Sequence, residues 1–419
     1  MYLFYLSLSL LSLLLAGLFG LLIALSRTPV VSLLNSPQLF YHFLVGHVTF
    51  SITVWLMSFT LAYWHYKKGR RERVAPPATL LGALLLSLSC LLPYGEPQLN
   101  NYIPVVDNPI FYAGLFLFFL GFLVEALKRL NFKEIFSENN LLAVSFVFGI
   151  LAIITVLPSL LTATDEGGKK MFFERLFWIP GHLQQFLYTS TMLLIWHELL
   201  KRNSGVSLSN PILSAGNLFM LFMSFPLFVG FFADPVSDKL AHKTAVVSFG
   251  VGLGVPVLIH TFYILKHIKP SLSVSTFALL SSMLIYYMGE IIAYGGMQSD
   301  LRIPAHYHGV VSGVSIAFMG FTYYMLKERF GFVVWERLAK LQPLVFSAGI
   351  GFLVLGFYLA GRFGVPRKTY GFEYIQDASV LLFLNLMGLG AVMSVFGGML
   401  FLTYAGKTLI MGMRHERAP

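Results

Sequence analysis

The sequence predicts an all-α polytopic membrane protein with twelve transmembrane helices. Three observations predict it. Hydrophobic residues make up 57% of the 419 and charged residues 11%, against about 25% charged in an average soluble domain; the mean hydropathy of +0.74 fits a bilayer. Twelve stretches are long enough to cross one, which takes about 20 mostly apolar residues. The basic residues alternate: 19 of the 29 Lys and Arg fall in every second loop or in the C-terminal tail. That is the positive-inside pattern, and it places both termini inside.

In chain order the spans are read at 3–25, 39–64, 78–95, 110–129, 141–162, 174–200, 211–233, 243–266, 272–296, 304–327, 343–362 and 378–406. The first has no basic leader and no A-x-A cleavage site, and eleven spans follow it, so it reads as a retained helix. The basic loops run from Lys67 to Arg73, Lys128 to Lys133, Lys201 to Arg202, Lys266 to Lys269 and Lys327 to Lys340, with the tail beyond 406. No soluble insert is left over, so residues 1–419 form a single membrane domain. The polar places open to chemistry or a partner are the loops at 95–109, 163–175, 296–305 and 361–377. The net charge of +10 belongs to the loop cations and does not point to nucleic acid. One cysteine, Cys90, excludes an internal disulfide and a cysteine-based metal site.

Eleven histidines are few, and their placement is informative. His65, His267 and His415 lie beside basic loops and read as interfacial side chains, as does His197 beside Glu198. His42, His47, His182, His197, His242, His260, His306 and His308 lie in or near apolar segments, and of these His242, which follows Lys239 in the outer loop, also reads as interfacial. An ionisable group at membrane depth is costly and marks a functional site by default. The tightest pattern is Pro304-Ala305-His306-Tyr307-His308-Gly309. Two residues apart on a helix is a rotation of about 200°, so the two imidazoles face opposite sides. They cannot share one metal, but each can ligate a different flat cofactor. The competing reading is two histidines hydrogen-bonded to neighbouring helices. An axial imidazole holds a haem iron, and a second makes it six-coordinate and suited to electron transfer. A candidate partner on another span is His47 in Val45-Gly46-His47-Val48-Thr49, with His42 the weaker candidate.

At these residues the chain resembles subunit I of the haem–copper oxidase superfamily, most closely its B-type branch. Pro304-Ala305-His306-Tyr307-His308 resembles the family's Ala-His-Phe-His-like motif on its tenth span. Phe177-Trp178-Ile179-Pro180-Gly181-His182 resembles its Phe-Trp-x-x-Gly-His on span 6. Asn101-Tyr102-Ile103-Pro104 with Phe111-Tyr112-Ala113-Gly114 resembles the loop into span 4. Val365-Pro366-Arg367-Lys368 resembles its Pro-Arg-Arg. The resemblance implies a haem–copper oxidase subunit I-like bundle with two haems, expected to be b-type. His47 and His308 would sandwich the low-spin haem and His306 would hold the high-spin one. Arg367 and Lys368 would bind haem propionates, with Lys368 a point charge where the family has a forked donor.

The departures are as informative. The family holds copper beside the high-spin haem with one histidine on span 6 and a His-His pair on span 7. Here His182 remains, as a vestigial copper ligand or a distal residue, while the pair reads Val229-Gly230 ahead of Ala233-Asp234-Pro235. Copper is therefore expected to be absent. The position four residues after His182, a tyrosine in the oxygen reductases and a glutamate in the nitric oxide reductases, is Phe186.

Three functions follow. The first is a haem-binding redox subunit of a respiratory-type complex, passing electrons from the low-spin haem to the second one. The alternatives are a terminal oxygen or nitric oxide reductase with a non-standard metal site, and a non-redox structural subunit or transporter. Enzyme activity, if present, would be of the cytochrome oxidase or nitric oxide reductase type. Expected partners are membrane lipids, a small-gas ligand, and an electron-donor subunit, soluble cytochrome or cupredoxin on the outer face. The expected location is the prokaryotic plasma membrane.

Overall fold

The computed structural model describes residues 1–28, 36–69, 73–92, 94–370 and 377–416. Of the basic residues counted above, Arg70, Arg71 and Arg417 lie outside the described residues, as does 371–376 of the loop at 361–377. Twelve helices carry the described chain. They are α1 (Tyr2–Ser26), α2 (Pro37–Lys67), α3 (Ala75–Leu91), α4 (Pro109–Arg129), α5 (Leu141–Thr162), α6 (Lys169–Ser204), α7 (Pro211–Phe231), α8 (Lys239–His267), α9 (Val274–Tyr294), α10 (Arg302–Phe330), α11 (Glu336–Arg362) and α12 (Ala378–His415).

Ten of these are long and apolar enough to cross a membrane. The other two depart from the rule for a physical reason each. Helix α3 has 17 residues, about 26 Å of rise. Helix α6 runs 36 residues and is the most polar, but it is buried on nearly its whole circumference, so its outer surface need not match lipid. The chain is an integral membrane protein.

The ends follow local rules. Asn108 caps α4 by accepting from the Phe111 N–H at 2.8 Å, and Asn210 caps α7 at Ile212 N at 2.8 Å. Pro37, Pro109 and Pro211 open α2, α4 and α7, where a missing N–H costs nothing. Every even-numbered helix carries cations in its last turn: Lys67, Arg129, Arg202, Lys266, Arg329 and Arg414. Positive charge there also complements the helix dipole.

The described chain forms two compact units. The first comprises residues 1–6 and 56–268. Here α3 packs on α4, α4 on α5, α5 on α6, and α7 on α8. Trp64 is its aromatic hub, 4.8 Å from Phe146 and 5.1 Å from Phe122 between ring centroids, with its N–H on Ser145 Oγ at 3.1 Å. A two-stranded hairpin, β1 (Glu96–Gln98) and β2 (Val105–Asp107), joins α3 to α4. The second unit comprises residues 7–55 and 269 onward. There α9 packs on α10, and α11 on both α10 and α12, around Ile285, Leu301, Ile316, Val354, Leu384 and Met387.

Two regular helices contain wide π-helical turns, Thr49–Val54 in α2 and Ser248–Leu253 in α8. Such turns recur at functional sites. Here one begins two residues after His47, and the other carries Phe249, whose ring lies 5.0 Å from that of His182.

Candidate functional site

Within the second unit a cavity of about 460 Å³ is lined mainly by apolar side chains. That volume lies within the range of about 300–1,000 Å³ usual for ligand pockets. His47 from α2 and His308 from α10 both face it. Their rings are 6.2 Å apart between centroids and 14° from parallel.

Each ring is oriented from behind. His47 Nδ1 donates to the Ala16 carbonyl at 2.8 Å, and His308 Nδ1 donates to the Pro304 carbonyl at 2.7 Å. A carbonyl can only accept, so both protons sit on Nδ1 and both Nε2 atoms keep a lone pair. This is the tautomer that imidazole ligands to metals adopt, with the second nitrogen held by a backbone carbonyl. The small residues of α1 make the approach of His47 feasible. A Cβ on Gly20 would lie 2.7 Å from His47 Cε1 and Nδ1.

The separation can be tested against a bis-imidazole iron. A metal–nitrogen bond of about 2.0 Å and a ring radius of about 1.2 Å, set by ring bonds of about 1.3–1.4 Å, put the two centroids about 6.4 Å apart. The observed 6.2 Å agrees. The residues present fit a haem.

His306 lies on the other side of α10, as its two-residue spacing requires. Its Nδ1 donates to the Gly289 carbonyl at 2.9 Å, so it too keeps a bare Nε2. Arg367 and Lys368 line one end of the cavity. Their loop is pinned to the start of α10 by Leu301 N–H on Val365 O at 3.1 Å and by an Asp300–Pro366 bridge. Lys368 adopts φ = 56°, a left-handed conformation that is uncommon outside glycine. His42 points its Nδ1 at Gln38 O at 3.0 Å and is not part of the cavity lining.

His182 belongs to the first unit. Its Nδ1 donates to Trp178 O at 2.6 Å, and its ring is flanked by Tyr102, Trp178 and Phe249 at 4.7, 4.4 and 5.0 Å. A Cβ on Gly230 would lie 2.9 Å from two ring carbons of Trp178 and 3.2 Å from Ile179 Cγ1. A side chain at residue 230 would therefore meet the Trp178 indole. Among the described residues no three His, Cys, Asp or Glu side chains converge as a metal set. The donor set does not fit a three-imidazole copper centre. Asp234 is engaged elsewhere: Arg175 binds both its carboxylate oxygens, at 2.9 and 3.1 Å. That pairing holds the Asp234 carboxyl at about 2, well below its ordinary value.

Two histidines read as interfacial are buried instead. His65 is 4% exposed and sits 3.0 Å from Glu125, which is also bound by Arg129 and by the Tyr5 hydroxyl at 2.7 Å. His197 is 4% exposed and shares a 2.7 Å hydrogen bond with His260, whose Nε2 reaches Asn217 at 3.0 Å. Proximity to loop cations in sequence misled in both cases, because the partners lie on other helices. Arg27, buried beside the cavity, was not anticipated; a lone arginine at the end of the first span carries no motif.

Residues 1–400 match the family described as cytochrome c and quinol oxidase polypeptide I. An uncharacterized protein of Aquifex aeolicus is 30% identical, over 81% of this chain and 87% of its own length. One of Rickettsia prowazekii is 26% identical, over 98% and 97%. Quinol oxidase subunit 1 of Bacillus spizizenii is 22% identical, over 74% of this chain and 54% of its own length. Among solved structures, a heme–copper terminal oxidase dimer seen by cryo-EM matches with a TM-score of 0.80 and 16% identity, covering 100% of this chain and 84% of its own. That likeness is one of fold.

Proposed function

Because the chain belongs to the cytochrome c and quinol oxidase polypeptide I family of haem–copper oxidases, we propose that it is a haem-carrying redox subunit in which His47 and His308 hold a low-spin haem and His306 holds a second one. A membrane redox role follows from the family itself. The observation that carries the finer reading is the His47–His308 pair: parallel rings 6.2 Å apart, each with Nδ1 on a backbone carbonyl. The bound iron would supply reversible one-electron chemistry.

The protein's own contribution is orientation and exclusion. The carbonyls of Ala16 and Pro304 lock both rings and raise the basicity of the facing nitrogens. The apolar lining keeps water from the iron and so limits side reactions. Arg367 and Lys368 neutralise the propionates. His306, held by Gly289, presents its lone pair on the opposite face of α10, so a single helix would ligate both haems. We take both to be b-type.

The copper site is where this reading parts from a working oxygen reductase. His182 is one imidazole, Val229 and Gly230 have no ligand atom, and position 186 is phenylalanine. We therefore propose a subunit without histidine-ligated copper, one that binds carbon monoxide at the reduced His306 haem and turns over oxygen slowly. The plasma membrane is its proposed location, and a separate donor protein docks on the outer loops near Arg367. Oxidised and reduced visible spectra of the purified chain test the proposal. A sharp reduced α-band lost in His47→Ala and in His308→Ala supports it. A chain that carries no haem favours a structural subunit or transporter, and stoichiometric copper with rapid oxygen turnover favours a terminal reductase.

A further inference from the structure

At the end of the second unit where α10 and α12 finish there is another cleft. It measures about 530 Å³ and is lined by Trp335, Glu336, Arg337, Leu338 and Lys340, from the link between α10 and α11. None of these residues lines the cavity of His47 and His308. This is the end that the basic loops mark as inside.

The link is held in a strained form. Trp335 adopts φ = 53° and ψ = 44°, a left-handed conformation that a bulky residue rarely takes. Three contacts fix it. The Val334 N–H donates to Thr408 Oγ1 on α12 at 2.9 Å, the Trp335 carbonyl accepts from the Leu338 N–H at 2.8 Å, and the indole meets the Tyr404 ring edge to face at 5.7 Å. Strain of this kind persists where the surroundings over-determine it, and ligand clamps are among its usual places. Even so, Trp335 remains 51% exposed.

The cleft gathers positive charge. Arg337 and Lys340 line it, and Lys407 of α12 places its Nζ 4.4 Å from the centroid of the Trp335 ring. Glu336, the acid of the lining, is already engaged by Lys327 at 2.7 Å. Among the described residues Arg337, Lys340 and Lys407 make no ion pair. Three cations around one cleft therefore call for an anion from outside the chain. A planar guanidinium fork suits a phosphate in particular.

Beyond the cations the surface turns apolar. Leu341, Leu344, Ala348, Phe352 and Leu355 of α11 are all exposed, and their spacing of three and four keeps them on one face. The stripe runs about 21 Å at 1.5 Å per residue, longer than the roughly 15 Å of one leaflet's hydrocarbon. A free anion would use the cations alone, and an apolar partner the stripe alone. Cations, then an interfacial tryptophan, then an aliphatic stripe match an amphiphile with a charged head.

We infer that this cleft binds an anionic phospholipid of the leaflet on that side. Arg337, Lys340 and Lys407 hold its phosphate, the Trp335 ring lies at the level of the glycerol, and an acyl chain follows the stripe of α11.

The test uses the full-length chain purified in detergent and mixed with phosphatidylglycerol or phosphatidylcholine, each brominated on its acyl chains so that it quenches nearby tryptophan. Quenching at Trp335 is the difference between wild type and Trp335→Phe. Phosphatidylglycerol should bind there at least about fivefold more tightly than phosphatidylcholine, the gain from one cation acting on an anionic headgroup at a membrane surface. The triple variant Arg337→Gln, Lys340→Gln, Lys407→Gln should bring the two lipids level. Lys201→Gln, an exposed cation on α6, should keep the wild-type preference. If the triple variant fails to accumulate, Lys407→Gln alone should cut the preference about twofold or more, and no change there overturns the inference. If Trp335→Phe fails to accumulate, native mass spectrometry decides: equal retention of phosphatidylglycerol by wild type and the cation variants overturns it. Loss of the preference in millimolar inorganic phosphate would identify a free-anion site and overturn it too. So would equal affinities for the two lipids in wild type, a preference that survives the triple variant, or no quenching by either lipid, the mark of a face covered by a protein partner.

Discussion

The carbonyl of Gly289 accepts a hydrogen bond from His306 Nδ1 at 2.9 Å, and the absence of a side chain on Gly289 is what brings the two helices that close. A Cβ there would lie 2.7 Å from His306 O and 2.6 Å from Val310 N. Gly289→Ala must push α9 from α10, and overpacking of this kind costs about 1–3 kcal/mol. Its thermal midpoint should fall. Carbon monoxide binding at the His306 haem should weaken, while the His47–His308 α-band survives. Loss of both signals together would show that the two sites are not separable in this way.

His47→Ala and His308→Ala should each abolish the sharp reduced α-band, because one imidazole leaves the iron five-coordinate. Phe50→Leu, about one turn along α2, shrinks a buried side chain but removes no ligand atom, and should leave the band in place. Retention of the band in both histidine variants would redirect attention to His42.

Metal analysis of the purified chain should find less than stoichiometric copper. Restoring imidazoles should not restore the site by itself. Val229→His with Gly230→His meets the Trp178 indole, 2.9 Å from the position a Cβ on residue 230 would take. Copper uptake by that double variant without a change at Trp178 would contradict this.

Asp234 and Arg175 tie the turn after α7 to α6. The Arg175 hydrogen bonds hold the Asp234 carboxyl at about 2, below its ordinary value of 3.8. A carboxyl depressed in the folded state adds stability that is present in full above about pH 4 and is lost as pH falls towards 2. The wild-type thermal midpoint should therefore exceed that of Asp234→Asn at pH 7, and the gap should close as pH approaches 2. A gap that stays constant over that range would assign the pair no such role.

Glu125 is fully buried with Arg129 and His65. Removing one partner of a buried ion pair strands the other, at about 3–5 kcal/mol. Glu125→Ala should destabilise the detergent-solubilised chain by that amount. Lys67→Ala should cost far less, because Lys67 in its pair with Glu198 is 36% exposed on the side chain. Equal effects of the two would mean that burial is not what sets the cost.

Much of the fold was legible in the sequence because a bilayer leaves a chain few options. Backbone polar groups must be satisfied within each span, so apolar stretches of the right length become helices. All twelve spans read from hydropathy overlap α1 to α12, including α6, whose polar residues lower its hydropathy. The opposite facing of His306 and His308 was legible for the same local reason, since helical geometry alone sets the angle between residues two apart. What local geometry cannot give is the identity of a neighbour on another helix. The His47–His308 pair was expected from the resemblance to a family, not from local geometry; only the tertiary structure put Arg27 against the loop of Arg367 and set Trp178 where a side chain on residue 230 would go. It also buried His65 on Glu125 and His197 on His260, although both stand beside loop cations in sequence. These pairings join residues 52 to 339 positions apart, and they depend on how helices pack, which no single segment encodes.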